Sequence, residues 1–373
     1  MVEDILAWLV AIPSVVGMPN GPITERIAEY CCSHDAAVRV LPGPEGDRAN
    51  LFVTIGPADA PGYVLSGHTD VVPAGEEGWT TDPFVLTAKG ERLCGRGTTD
   101  MKGFLACALA ALPALATMDL KRPVHLAFSY DEEAGCRGVP HMIAALPELC
   151  RRPLGVIVGE PSGLRGVLAH KGKAAARLEV TGLAGHSSRP DLGRNAVHAM
   201  TGVLADAIAH GRSLEVGPFD ARFEPAYSSL QVGVVSGGRA LNVIPDRCAA
   251  EIEVRAISGV SPRALLEPVR TRLAALEAEG FGTNWQELSA YPALALAGDS
   301  ALAGLVADLT GRTPLPAVSY GTEAGLFQEA GLDAIICGPG SIDRAHKPDE
   351  YITRGELADC LAMILALGER CCA

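Results

Sequence analysis

His68, Asp100, Glu133, Glu160 and His346 each stand where an apolar, strand-like run gives way to a loop, and Glu132 lies beside one of them. Two imidazoles with several carboxylates and no thiolate form a donor set suited to two Zn2+ ions, or Co2+ or Mn2+, roughly 3.5–4 Å apart. Such a pair lowers the pKa of a water, polarises a carbonyl and steadies the oxyanion that forms on it. A neighbouring carboxylate can then accept the water's proton and deliver it to a departing nitrogen. Glu132 fits that role, and the chemistry described is the hydrolysis of an amide.

Taken singly, each residue admits a plainer reading. His68 and Asp70 are two apart at a strand end, so both side chains leave on one side. A ligating imidazole commonly donates its other ring N–H to a carboxylate, which would be Asp70; a strand-end histidine beside an Asx-turn aspartate fits the pair equally well. Asp100 sits among Gly95, Gly97 and Gly103, either as a helix N-cap or as a carboxylate bridging two cations. Adjacent side chains of extended chain point to opposite sides, so Glu132 and Glu133 can divide labour between a water and a metal, or be ordinary solvated acids. Glu160 ends an apolar strand ahead of Pro161, a position where an unliganded carboxylate is unusual. His346, in Ala345-His346-Lys347-Pro348, reads alone as a surface loop imidazole.

These side chains need a scaffold that brings strand ends together. Strand-like runs at 51–55, 63–66, 124–129, 156–158 and 334–337 alternate with helical patterns at 102–112 and 139–146, which predicts an α/β domain with a mostly parallel sheet between helices. In such sheets ligands gather beyond the carboxyl ends of strands. The middle of the chain reads strand 173–181, helix 195–210, strands 229–235 and 249–256, helix 261–279 and strand 285–290, the β-α-β-β-α-β order of a ferredoxin-like α+β domain. The expected organisation is a discontinuous catalytic domain, 1–172 and 292–373, carrying an inserted domain at 173–291. With 373 residues, 48% of them apolar, the chain can bury a full core. A net charge of −13 argues against a nucleic-acid surface. No apolar run reads as a membrane span, and the Leu6–Ile12 stretch, preceded by acids and broken by Pro13, reads as an amphipathic surface helix instead of a signal peptide. Eleven cysteines without a Cys-x-x-Cys pair suit buried free thiols in a reducing cytoplasm.

The strings Ser66-Gly67-His68-Thr69-Asp70, Gly95-Arg96-Gly97-Thr98-Thr99-Asp100-Met101-Lys102-Gly103, Gly185-His186-Ser187-Ser188, Asn242-Val243-Ile244-Pro245 and Gly321-Thr322-Glu323-Ala324-Gly325, with the stretches 129–135, 159–161 and 337–348, resemble the M20 family of metallo-aminoacylases and peptidases over the whole chain. The resemblance implies a zinc-peptidase-like catalytic domain and an inserted lid and dimerisation domain. It implies one divalent ion on His68, Asp100 and Glu160 and a second on Asp100, Glu133 and His346, with Asp70 as the partner of His68. Glu132 becomes the general acid/base, and the Asp100–Met101 peptide is expected to be cis. His186 would stabilise the oxyanion from a neighbouring subunit of a homodimer. Asn242 and Arg255 would hold substrate, and Glu323 would line the pocket near the substrate's amine. The implied substrate is a small N-acyl amino acid, N-acetyl-L-ornithine foremost, with N-succinyl-diaminopimelate, other N-acyl amino acids and dipeptides as alternatives.

Overall fold

The structure, a computed structural model, describes residues 1–75 and 77–373. The chain forms two compact units: Met1–Ala169 with Leu294–Pro316 and Thr322–Ala373, and His170–Ala293 with Ala317–Gly321.

The larger unit is built on a six-stranded sheet, in spatial order Ala37–Pro42, Ala49–Ile55, Val124–Ser129, Tyr63–His68, Gly155–Pro161 and Ala334–Gly338. The first two pairings are antiparallel and the remaining three parallel. Every residue of Val124–Ser129 and Gly155–Pro161 is buried, as expected of strands covered on both faces. Successive side chains alternate between those faces. Leu51, Val53, Leu65, Leu126, Phe128 and Ile157 join one cluster with the helices Val2–Ala11, Gly103–Thr117 and Arg354–Cys371.

Gly103–Thr117 is the central helix, with eleven buried residues. It runs past Pro113, where the pattern 102–112 would have stopped, because burial against the core outweighs local propensity. By length and hydropathy Thr98–Thr117 also passes as a membrane span, but 83% of it is buried inside the protein. The N-terminal helix is amphipathic as expected, yet Leu6, Leu9 and Val10 are fully buried, so it belongs to the core. All eleven cysteines are free and eight of them are buried.

The smaller unit is ferredoxin-like. Its antiparallel sheet runs Ser229–Gly237, Arg247–Ala256, Gly172–Thr181 and Gly282–Tyr291. Along Arg247–Ala256, buried residues alternate with partly exposed ones. Cys248, Ala250, Ile252 and Val254 thus face the helices Ala196–Ser213 and Pro262–Ala275. Asn195 caps the first helix through the N–H groups of Val197 and His198, and Ser261 caps the second through Ala264, each satisfying orphan donors.

Candidate metal centre

Three neighbouring parallel strands end in polar residues on one face. His68 has the parity of Val64 and Ser66, Ser129 that of His125 and Ala127, and Glu160 that of Val156 and Val158, so the side chains of His68, Ser129 and Glu160 emerge together. His68 Nε2 lies 3.1 Å from Asp100 Oδ1 and 3.7 Å from Glu160 Oε1. Gly159, just before Glu160, has no room for a side chain: a Cβ there would meet the Phe104 ring at 2.1 Å.

Asp100 comes from an irregular turn, Thr98–Lys102, entered through Gly97 at φ +81°, a left-handed conformation that glycine adopts freely. The Asp100–Met101 peptide is cis. Asp100 is no N-cap: that position of the Gly103–Thr117 helix is held by Lys102, without a side-chain cap. Its second oxygen, Oδ2, lies 3.4 Å from His346 Nε2, and that nitrogen is 2.9 Å from Glu133 Oε1. The Asp100 carboxylate therefore stands between the two imidazoles, one oxygen toward each.

Asp70 stands beside the His68 imidazole, and its nearest contact with the ring is through its backbone. His68 Nδ1 meets the backbone carbonyl of Asp70 at 2.8 Å, and the carboxylate is 3.7 Å away. That carboxylate instead accepts the N–H groups of Glu132 and Glu133, each at 3.1 Å. Asp131, at φ +51°, is pinned by the Gly17 N–H at 2.7 Å and by the Arg48 guanidinium. The Cys136 thiol donates to Glu132 Oε1 at 3.3 Å.

Glu323 is 1% exposed, and its oxygens accept the Ser66 and Ser129 hydroxyls at 2.6 and 2.8 Å. It ties the strand ends at Ser66 and Ser129 together.

Burial pushes the Glu132 carboxyl up to about 8, with the charges of Glu133, Asp70 and Glu323 adding to it. Burial and the neighbouring Asp100 likewise hold Glu160 well above the usual carboxylate range. Hydrogen bonds to Asp100 and Glu133 raise His346 to about 10. Burial opposes charge on His68, but Asp100, Glu160 and Asp70 together raise it well above its ordinary value. Asp100 is held low despite its burial, by its bonds to His346 and His68. Buried acids crowded in this way need positive charge nearby, and dications would supply it. His68, Glu132 and Glu160, and likewise His68, Asp100 and Glu133, offer donor atoms within 4.8 Å of one another. Imidazole and carboxylate donors at that spacing fit divalent ions.

The remaining expected residues lie in the smaller unit. His186 is exposed, its Nδ1 2.8 Å from Ser188 Oγ. Asn242 is beside it, accepting the Ser187 N–H through its carbonyl at 3.1 Å. Arg255 is half-buried and donates to Glu253 Oε1 at 2.8 Å. It stands opposite Lys173, near where the chain enters this unit, whereas Asn242 precedes the other end of Arg247–Ala256. That strand has ten residues, about 30 Å of extended chain, so within one unit Arg255 and the His186–Asn242 pair occupy opposite ends.

Residues 64–370 match Peptidase family M20/M25/M40. The chain belongs to this family. An acetylornithine deacetylase of Photorhabdus laumondii is 30% identical over 99% of this chain and 97% of its own length. One from Myxococcus xanthus is 36% identical over 80% and 77%. Among solved structures, an M20 family metallo-carboxypeptidase of Sulfolobus solfataricus aligns with a TM-score of 0.79 at 19% identity, covering 100% of this chain and 99% of its own. A dinuclear metal-binding M20 peptidase of Bacillus subtilis aligns at 0.67 and 16%, covering 98% and 96%. Those two likenesses speak for the M20 fold. As a member of the family, with deacetylase relatives along nearly its full length, the chain is a metal-dependent hydrolase acting on amides.

Sequence reasoning passed over Glu350, Arg96, Cys136 and Lys102. Lys102 is fully buried, its ammonium donating to the Leu9 and Ile12 carbonyls at 2.9 Å each, which fastens the N-terminal helix to the Asp100 turn. A charged residue following Asp-Met at a helix start was the available signal.

Proposed function

We propose that this protein is a two-metal deacylase that cleaves acetate from the nitrogen of an N-acetyl amino acid, N-acetyl-L-ornithine foremost, in arginine biosynthesis in the cytoplasm. The observation that carries the reading is Asp100, whose oxygens face His68 at 3.1 Å and His346 at 3.4 Å. One ion would be held by His68, Asp100 and Glu160 and the other by Asp100, Glu133 and His346, Zn2+ suiting the donors best and Co2+ or Mn2+ next. When bound, the ions supply Lewis acidity for the acetyl carbonyl and acidify a water.

Glu132 takes a proton from that water as its oxygen adds to the acetyl carbon, and passes the proton to the nitrogen as the C–N bond breaks; the acetic acid formed then ionises, and the products are acetate and the protonated amine. Asp70 aims Glu132 and Glu133 by holding their backbone. The smaller unit serves as lid and dimerisation domain. Arg255 pairs with the substrate carboxylate, a geometry that guanidinium suits, while Asn242 and His186 act on the site of the neighbouring subunit in a homodimer. Their place at the far end of the ferredoxin-like sheet from Arg255 supports that division.

Glu132→Gln tests the mechanism. Turnover should fall by about 10^2–10^4-fold with metal content unchanged, and an active variant would remove the assigned role. The substrate is tested with N-acetylornithine, N-acetylmethionine, N-succinyl-diaminopimelate and a dipeptide. N-acetylornithine should have the highest kcat/KM, and preference for another member of the panel would reassign the substrate.

A further inference from the structure

Glu350 has no part in the chemistry above, yet it is 1% exposed and every acceptor position of its carboxylate is in use. Oε1 accepts the N–H groups of Thr99 at 2.9 Å and Asp100 at 3.1 Å. Oε2 accepts the Gly97 N–H and an N–H of the Arg96 guanidinium, both at 2.9 Å. A carboxylate offers about four acceptor sites and no donor, so it suits this convergence of donors, and an amide, whose NH2 would face another donor, does not.

The backbone of Glu350 is fixed independently. Tyr351–Thr353 pairs antiparallel with Arg92–Cys94, Tyr351 opposite Cys94, and the Gly95 N–H donates to the Glu350 carbonyl at 2.9 Å. This small sheet sets Glu350 against the loop that leads to Asp100. His346 lies four residues earlier on the same connection, at φ +57°. One short segment thus carries His346 by chain connectivity and grips the Asp100 turn by hydrogen bonds.

We propose that Glu350 is a positioning residue that fixes the spacing of Asp100 and His346, and through it the affinity of the ion those two side chains share. The proposal rests on the two-ion reading and adds to it the element that holds the second ion's place open.

The test is stepwise addition of Co2+ to the chelator-stripped full-length protein, followed by calorimetry and visible absorption. The parent protein should take up two equivalents. Glu350→Gln should bind the first with near-parent affinity and the second about 10–100-fold more weakly, the usual scale for losing a group that orients a ligand. Glu350→Asp keeps the charge opposite Arg96, so it protects the fold, but its shorter arm cannot span all three N–H groups. It should weaken the second step in the same direction. Arg96→Lys disturbs the buried ion pair while leaving the three backbone contacts, and should lower the melting temperature with both affinities kept. A folded Glu350 variant with parent affinity at both steps overturns the proposal, as does an Arg96→Lys protein that loses the second ion equally. A parent protein taking fewer than two equivalents overturns the two-ion reading itself, and this proposal with it.

Discussion

The Asp70 carboxylate holds the backbone of Glu132: Oδ1 accepts the Glu132 N–H at 3.1 Å, and Oδ2 accepts that of Glu133 at the same distance. An acid at the end of one strand thereby sets the turn that follows its neighbour. Because Glu132 and Glu133 are consecutive, one clamp orients both the proposed proton carrier and a proposed ligand.

Asp70→Asn should therefore impair catalysis without emptying the site. The amide keeps one oxygen for one N–H and turns its NH2 toward the other, loosening the turn. The expected loss in kcat/KM is about 10–100-fold, with the two metal equivalents retained. Steady-state kinetics beside elemental analysis checks this. Loss of one equivalent would mean that Asp70 acts mainly through His68, whose Nδ1 lies 3.7 Å from its carboxylate.

Ser129→Ala should expose the structural role of Glu323. Removing that hydroxyl leaves a buried carboxylate oxygen without its 2.8 Å donor, a change costing about 1–3 kcal/mol. Thermal unfolding should shift downward, while KM for the best substrate stays within about twofold of the parent, a factor that corresponds to well under 1 kcal/mol. A large rise in KM with unchanged stability would place Glu323 in the substrate pocket.

Much of this site is legible in sequence because its donors lie at strand ends, where period-two parity decides which side chains share a face. His68 and Glu160 follow directly from that rule. Asp100 and His346 do not: both occupy irregular turns whose course is set by tertiary contacts, and only the surrounding strings pointed to them. Glu350 was invisible for a further reason. Its role depends on pairing between two three-residue strands, Arg92–Cys94 and Tyr351–Thr353, too short to carry a periodic signal, and on donors some 250 residues away in sequence. The same long-range dependence hid the contacts of Glu323, since nothing local to Gly321–Gly325 shows that the Ser66 and Ser129 hydroxyls will donate to it.

Mixing two inactive chains should test where His186 works. His186→Ala disables the contribution of the smaller unit, and Asp100→Ala disables the metal centre. If His186 serves the neighbouring subunit, a mixed dimer contains one site with an intact metal centre and an intact partner histidine. Up to a quarter of parent activity per chain should then return as a statistical mixture forms, the random-pairing limit for two equal populations. Verified mixed dimers without recovered activity would place His186 in its own chain's site or outside catalysis.

His125 should make the fold acid-sensitive independently of the metal centre. It is fully buried in the central sheet, stacked on Phe52 at 5.0 Å, with Nδ1 3.0 Å from Thr54 Oγ1. Its Nε2 finds no partner among the described residues. Burial lowers its pKa from 6.5 to about 4. A histidine whose folded value lies below its unfolded value contributes its full stability above the unfolded pKa. That contribution is lost as pH falls from about 6.5 toward 4, because the unfolded chain binds the proton more readily. A shift of this size corresponds to about 3 kcal/mol. Urea unfolding of chelator-treated protein at pH 7, 6 and 5 measures it, with His125→Asn as reference. Acids and other histidines titrate alike in both proteins, so the difference between the two curves isolates His125. The parent's advantage should shrink steadily from pH 7 to pH 5. Parallel curves would mean that the ring stays accessible to protons in the folded sheet.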